Sequence, residues 1–203
     1  MDAQKDLIDA DALLVKKAQK GDIDAFETLV KKYEKTVYNM SCRMLSDKDE
    51  AMDAAQDVFL KVFKSIGNFK SEAKFSTWLY RICSNVCFDI LRKRKDMYNM
   101  SIDDTIELDD GEMRMDLAAQ SPGIEDEIER AELKSLVSSA VEKLPDMHRT
   151  MIVLRDFKDL SYSQIAYILD IPEGTIKSRI NRARKALRQL LVNKKELKDY
   201  ISV

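Results

Sequence analysis

Asp49, Asp53 and Asp57 recur every four residues, a spacing that sets three carboxylates on one helical face, where such groups hold a divalent cation or share acid–base work. Neither chemistry finds its remaining parts. The chain has one histidine, His148, and no second acidic cluster recognisable as completing a site, so the stripe reads as a solvated or partner-facing surface. Cys42, Cys83 and Cys87 leave one thiol over in any pairing scheme, and Cys83 and Cys87 sit four apart on an apolar helical pattern. They read as core thiols, not as metal ligands or a redox pair. No cofactor, metal site or catalytic residue is expected.

A different chemistry is better supplied. From Gly174 to Lys195 there are eight bases and no acids, which suits a polyanion. Just before and within this run, Leu160-Ser-Tyr-Ser-Gln-Ile-Ala-Tyr-Ile-Leu-Asp-Ile-Pro-Glu-Gly-Thr-Ile-Lys-Ser-Arg-Ile-Asn-Arg-Ala-Arg reads as a helix-turn-helix. Ser161 with Gln164 makes a capping box, and Ile165, Ala166 and Leu169 form one apolar face. Asp170-Ile171-Pro172 supplies the turn. Ile176, Ile180 and Ala183 then face the core, leaving Thr175, Lys177, Ser178, Asn181, Arg182, Arg184 and Lys185 outside. Lys177, Ser178, Asn181 and Arg182 are candidates for base edges in a major groove. Arg179, Arg184 and Lys185 suit phosphates, joined by the free amides around Glu173 to Thr175.

A second nucleic-acid signal lies between Phe69 and Lys95, where a polar loop and clustered aromatics precede a helix ending in four consecutive bases, Arg92 to Lys95. Unpaired bases are held by aromatic faces, polar pockets and a cationic track. Phe69, Lys70, Ser71 and Phe75 are the expected pocket, with Asn85 and Asp89 one helical turn apart beside it. Trp78, Leu79, Ile82, Val86 and Ile90 fall at core spacing.

The elements that must position these groups are helical. Periodicity near 3.6 residues recurs in 13–18, 26–45, 51–66 and 77–91, with stops at Gly21, around Ser46 and at Gly67. Ser46, and Ser76 or Thr77, are expected helix N-caps. After Ser121-Pro122-Gly123 a second helical group covers 125–143, 147–157, 161–169 and 174–192, broken at Leu144-Pro145-Asp146. Between them, Asp96 to Glu129 holds twelve carboxylates and one base, although the whole chain of 203 residues carries only −2. Periodicity fails over 96–123, which therefore reads as a flexible acidic linker. The expected fold is all-α, two small domains at 10–95 and 124–192 on a tether. No apolar run is long enough to span a bilayer, and the acidic start, Met1 to Asp11, lacks the basic and apolar segments of a signal peptide. A cytoplasmic protein is expected.

Taken together, these stretches resemble the extracytoplasmic-function sigma factors of bacterial RNA polymerase, within the sigma-70 family. Asp53-Ala-Ala-Gln-Asp-Val-Phe looks like the core-polymerase-binding helix, Phe75-Ser-Thr-Trp-Leu-Tyr-Arg-Ile like the melting segment, and the helix-turn-helix like region 4.2. The resemblance implies a region 2 bundle over 10–95 and a region 4 domain over 124–192, with no region 3 between. It implies that Asp53, Gln56 and Asp57 contact the clamp of the polymerase β′ subunit, and that the β flap is a further partner. Lys70, Ser71 and Phe75 would receive an extruded base of the −10 element, with Asn85, Asp89 and Arg92 beside it. Asp89, being anionic, would either accept from a cytosine amino group or pair with Arg92. The −35 element would be read as duplex through Thr175, Lys177, Ser178, Arg179, Asn181, Arg182, Arg184 and Lys185. An anti-sigma factor is an implied partner. Two rivals predict other behaviour: a dimeric regulator resembling response-regulator output domains would bind duplex without polymerase, and a metal-dependent all-α enzyme would use the aspartate stripe.

Overall fold

The computed structural model describes residues 3–101 and 124–192, and side chains within them over 11–96 and 133–192. All regular structure there is helical. The first unit holds α1 (Ala3–Gln19), α2 (Ile23–Leu45), α3 (Lys48–Ser65), a 3-10 turn at Ile66–Asn68, and α4 (Phe75–Ser101). The second holds α5 (Ile124–Glu142), α6 (Asp146–Ile152), α7 (Tyr162–Leu169) and α8 (Glu173–Val192). The tether assigned to 102–123, and the bases Lys194 and Lys195, lie outside the described residues. Residues 96–101, read as the start of that tether, instead continue α4; the cluster Arg92 to Lys95 does not end the helix.

Boundaries follow from local chemistry. Gly21 takes φ +91° after α1, a conformation that costs an L side chain strain. Asp22 then caps α2, its carboxylate accepting from the Ala25 amide at 3.0 Å. The α2–α3 corner differs from the expected Ser46 cap. Ser46 is the left-handed residue that closes α2 (φ 57°), and Asp47 caps α3 by accepting from the Glu50 amide at 2.8 Å. A carboxylate is the better acceptor for a helix N-terminus because it also meets the helix dipole. Ser76 and Thr77 are likewise not caps: α4 starts at Phe75, and Thr77 is buried in its first turn.

After α6 the helix widens into a π turn over Val153–Phe157, with the Lys158 amide donating to the Val153 carbonyl five residues back at 3.1 Å. Such a turn inserts one extra residue and rotates the chain beyond it. Here Val153 and Leu154 stay in the core while Asp156 and Phe157 are turned out.

The two units are packed together. One apolar core runs from Leu29, Val37, Met40, Met44 and Leu79 in the first to Leu144, Met151, Leu154 and Ile165 in the second. Burial of each such side chain contributes about 1.5–3 kcal/mol. Cys83 and Cys87 lie in this core against the Ser41 hydroxyl. The Cys87 thiol is pushed up by its hydrogen bond with Cys83 and by burial, so it behaves as an apolar group. Cations from both units cross the contact: Arg43 lies over the Phe157 ring (4.5 Å), Arg81 over Tyr167 (5.1 Å) and Lys158 over Tyr80 (5.8 Å).

Candidate nucleic-acid and polymerase interfaces

The helix-turn-helix is built from α7 and α8. The capping box forms: Ser161 Oγ accepts from the Gln164 amide (3.2 Å), and Gln164 Oε1 accepts from the Ser161 amide (2.8 Å). Asp170 ends α7 in the left-handed region at φ 53°, which Asp tolerates better than most residues. The Pro172 carbonyl then accepts from the Thr175 and Ile176 amides at 2.9 and 3.1 Å, starting α8. Ile165, Ile168, Ile176, Ile180 and Ala183 are buried where the helices cross. Ile168 takes the inward place expected of Ala166 and Leu169, which are only half-buried.

This crossing fixes the outer face of α8. Lys177, Ser178, Asn181 and Arg184 surround a concavity of about 510 Å³, together with Tyr162 from α7. Arg182 and Lys185 are exposed on the adjoining face, and Thr175 and Arg179 are half-buried. Arg184 is not free: its guanidinium forks onto Asp156, with Nε at 3.3 Å and a short contact from Nη2. The Asp156 carboxylate holds the Arg184 pKa above its ordinary value. Sequence reasoning missed both Tyr162 and Asp156. Tyr162 could have been found as the first residue after the Ser161 cap. Asp156 could not, since it meets Arg184 only through the π turn, 28 positions away.

In the first unit, Asp53, Gln56 and Asp57 are exposed on α3. Of the three, Gln56 reaches an apolar groove, whose charged lining residues are Glu34 and Lys35 of α2. The groove, of about 740 Å³, lies between α2 and α3 and is floored by Phe26, Val30, Met52, Phe59, Leu60 and Phe63. Met52, Leu60 and Phe63 are 54%, 56% and 56% exposed. The Phe26 and Phe63 rings meet edge to face at 5.1 Å, which shapes the groove. Contiguous apolar exposure edged by charge is the character of a protein interface.

The loop before α4 is tied down by α1, Gln19 Nε2 donating to the Ile66 and Phe69 carbonyls at 3.0 and 2.9 Å. Lys70 and Ser71 are exposed, Ser71 with φ 57°. Phe75, expected beside them in a base pocket, is only 5% exposed and packs with Phe69, Trp78 and Tyr33. Its ring supports the loop from below, because four aromatics bury more apolar area together than a solvated loop can. Asn85, Asp89 and Arg92 are exposed on α4. Asp89 pairs with both Arg92 and Lys61, each at 3.7 Å, so its charge is partly offset.

A helix-turn-helix with a cationic outer face, joined to a helical unit with an exposed apolar groove, defines a two-unit helical DNA-binding protein. Sequence comparison gives the family. The sigma-70 region 2 profile matches residues 29–96, and that of sigma-70 region 4 matches 134–187. The chain is 40% identical over 178 residues to the ECF RNA polymerase sigma factor SigW of Bacillus subtilis, covering 87% of this chain and 94% of that protein. It is 35% identical over 183 residues to the RNA polymerase sigma-H factor of Pseudomonas aeruginosa, covering 89% and 93%. Among solved structures, the sigma factor RpoE of Bartonella quintana in complex with the anti-sigma factor NepR has TM-score 0.65 at 25% identity, covering 84% of this chain and 98% of that one. CnrH in complex with the cytosolic domain of CnrY shares the fold, with TM-score 0.65 at 24% identity over 91% and 99%. The chain belongs to the extracytoplasmic-function sigma factors of the sigma-70 family, initiation factors that direct RNA polymerase to promoters and are not enzymes. No helix among the described residues is long and apolar enough to cross a membrane.

Proposed function

We propose that the α2–α3 groove and the acidic α3 face beside it dock this chain onto core polymerase, while α4 and α8 read the two promoter elements. The observation that carries the reading is the α3 surface, where Asp53, Gln56 and Asp57 border exposed Met52, Leu60 and Phe63. An apolar groove supplies affinity, and carboxylates beside it supply orientation and on-rate toward a basic partner. The β′ clamp fits that description, with the β flap as a second contact for region 4.

Lys70 and Ser71 receive an extruded base of the −10 nontemplate strand on a loop supported by Phe75. Asn85, Asp89 and Arg92 line the path of the neighbouring nucleotides. Region 4 enters the −35 major groove with Lys177, Ser178, Asn181 and Arg182 toward base edges. Thr175, Arg179, Arg184 and Lys185 grip the backbone. Each contact set is weak alone; polymerase joins them into one event at high effective concentration. An anti-sigma factor acts by covering these surfaces, and the protein works in the cytoplasm, where its polymerase is.

The test is run-off transcription on fragmented genomic DNA with purified bacterial core polymerase. New discrete start sites, lost with the Asp53→Ala, Asp57→Ala variant although it remains folded, are expected. A chain that neither binds core nor changes initiation overturns the reading.

A further inference from the structure

One side chain of α1 reaches the loop that the −10 reading sets against an extruded base. Gln19 Nε2 donates to the Ile66 carbonyl at 3.0 Å and to that of Phe69 at 2.9 Å, across 47 and 50 positions of sequence. Both partners are acceptors, so the amide must present its nitrogen, whose two hydrogens serve both. One group reaches both because Ile66–Asn68 is a single turn of 3-10 helix, closed by the Phe69 amide donating to the Ile66 carbonyl at 3.1 Å. That winding brings groups three residues apart onto one side. Among the described residues, no other side chain distant in sequence hydrogen-bonds to the backbone of 66–73.

Gln19 is itself held in place. It is the last residue of α1, and the Lys20 and Gly21 amides close the helix beside it by donating to the Lys17 and Ala18 carbonyls at 2.9 and 3.0 Å. Earlier in α1, Asp11 accepts from the Tyr33 hydroxyl, and the Tyr33 ring packs on Phe75 at 5.6 Å. The loop is thus braced from α1 at both ends, at Phe69 through Gln19 and at Phe75 through Tyr33. Lys70 and Ser71 stand exposed between these anchors.

We infer that Gln19 is a positioning residue for base capture, holding Lys70 and Ser71 in the conformation that receives the extruded base. The inference rests on the −10 assignment proposed above. Extruding a base already costs its stacking, and a loop that had to order on binding would lose backbone entropy at the same moment. Two hydrogen bonds from the end of a helix order the loop before the strand arrives. In this role Gln19 acts through the loop and not on the strand, so its loss erodes preference for the base and spares the grip on the strand's backbone.

Gln19→Met and Gln19→Lys test this, each checked for native helicity. Both replacements are unbranched and good helix formers, but Met has no donor and Lys has three. The full chain bound to core polymerase is titrated with a fluorescein-labelled nontemplate strand carrying the −10 element mapped by run-off transcription, intact or abasic at each position in turn. Wild type is expected to prefer the intact base at the captured position. Gln19→Met is expected to cut that preference about three- to tenfold, because apparent affinity scales with the competent fraction, and to leave affinity for the abasic strand unchanged. Gln19→Lys is expected to keep most of the preference, whereas a packing role would favour Met. Hydrogen exchange over 66–75 is expected to quicken in Gln19→Met and not in Gln19→Lys. Full base preference in Gln19→Met, equal loss in both variants, or unchanged exchange overturns the inference. Lys70→Ala with Ser71→Gly separates it from the −10 assignment. A base preference that ignores both changes removes the loop from the −10 site, and Gln19 with it, even where exchange quickens.

Discussion

Arg149 and Met44 stand 105 positions apart in sequence, yet the Arg149 guanidinium donates to the Met44 carbonyl at 2.9 Å inside the contact between the two units. The same guanidinium caps the Glu142 and Leu144 carbonyls at 2.7 and 3.0 Å. Only 8% of the residue is exposed, and burial holds its pKa below the ordinary arginine value. One side chain thus closes the end of α5 and joins it to the end of α2.

Arg149→Ala leaves the buried Met44 and Leu144 carbonyls and the partly buried Glu142 carbonyl without this donor. Hydrogen bonds to a charged group contribute about 1.5–3 kcal/mol each, and the losses overlap, so the expected cost is about 3 kcal/mol. For a chain of this length that is a fall in Tm of roughly 6–12 °C, measured by circular dichroism. A fall under about 2 °C in repeat melts, less than that scaling gives for 1 kcal/mol, would contradict the capping role.

Leu60→Ser with Phe63→Ser separates binding from stability. Both side chains are more than half exposed, so the change in folding free energy should stay near ~0.5–1 kcal/mol. Core polymerase affinity should fall at least about tenfold, because apolar anchors at the centre of an interface carry most of its energy. Pull-down or surface plasmon resonance with purified core measures it. Unaltered affinity would place the polymerase contact elsewhere.

These residues also show what the sequence could and could not disclose. The helix-turn-helix was legible because its determinants are local: the Ser161–Gln164 box, the Asp170–Pro172 turn and the spacing of Ile176, Ile180 and Ala183 all act within one or two turns. The groove was half legible. Asp53 and Asp57 marked the face, but Phe26, Leu60 and Phe63 read as ordinary periodic residues, and only the α2–α3 crossing leaves them open to solvent. Phe75 illustrates the opposite error, since an aromatic in a polar loop looked available and was drawn inward by Phe69, Trp78 and Tyr33. The Arg43–Phe157, Arg81–Tyr167 and Arg149–Met44 contacts depend on how two separate units meet. No local period encodes that.

Tyr33 gives a pH prediction. Its hydroxyl donates to Asp11 at 2.7 Å in a half-buried site, and burial, then the bond to Asp11, raise the phenol pKa well above 10. Above pH ~10 the unfolded chain loses this proton before the folded chain does, so the folded state binds more protons and stability falls as pH rises. The slope from this one group is about 1.4 kcal/mol per pH unit. Urea titrations between about pH 9 and 11, spanning the ordinary tyrosine pKa, should show Tyr33→Phe less stable than wild type at neutral pH and flatter on the alkaline side. Parallel alkaline limbs would mean that Tyr33 titrates normally.

Asp156 and Arg184 set the last expectation, which concerns fidelity at the −35 element. The Asp156 carboxylate forks with Arg184 at the edge of the concavity lined by Lys177, Ser178 and Asn181, so it fixes where the guanidinium points while cancelling its charge at long range. Asp156→Ala frees a mobile cation beside the reading face. Non-specific duplex affinity should rise and the slope of log K against log salt should steepen by up to about 0.9, the value of one full phosphate contact, because Arg184 no longer shares its charge with Asp156. Discrimination among −35 variants should narrow, because a mobile guanidinium makes its phosphate contact in more than one register. Asp156→Glu keeps the charge one methylene further out and should restore the slope but only part of the discrimination. If Asp156→Ala leaves salt slope and −35 preference both unchanged in fluorescence anisotropy, Arg184 takes no part in reading DNA, and the fork is only a surface ion pair between the π turn and α8.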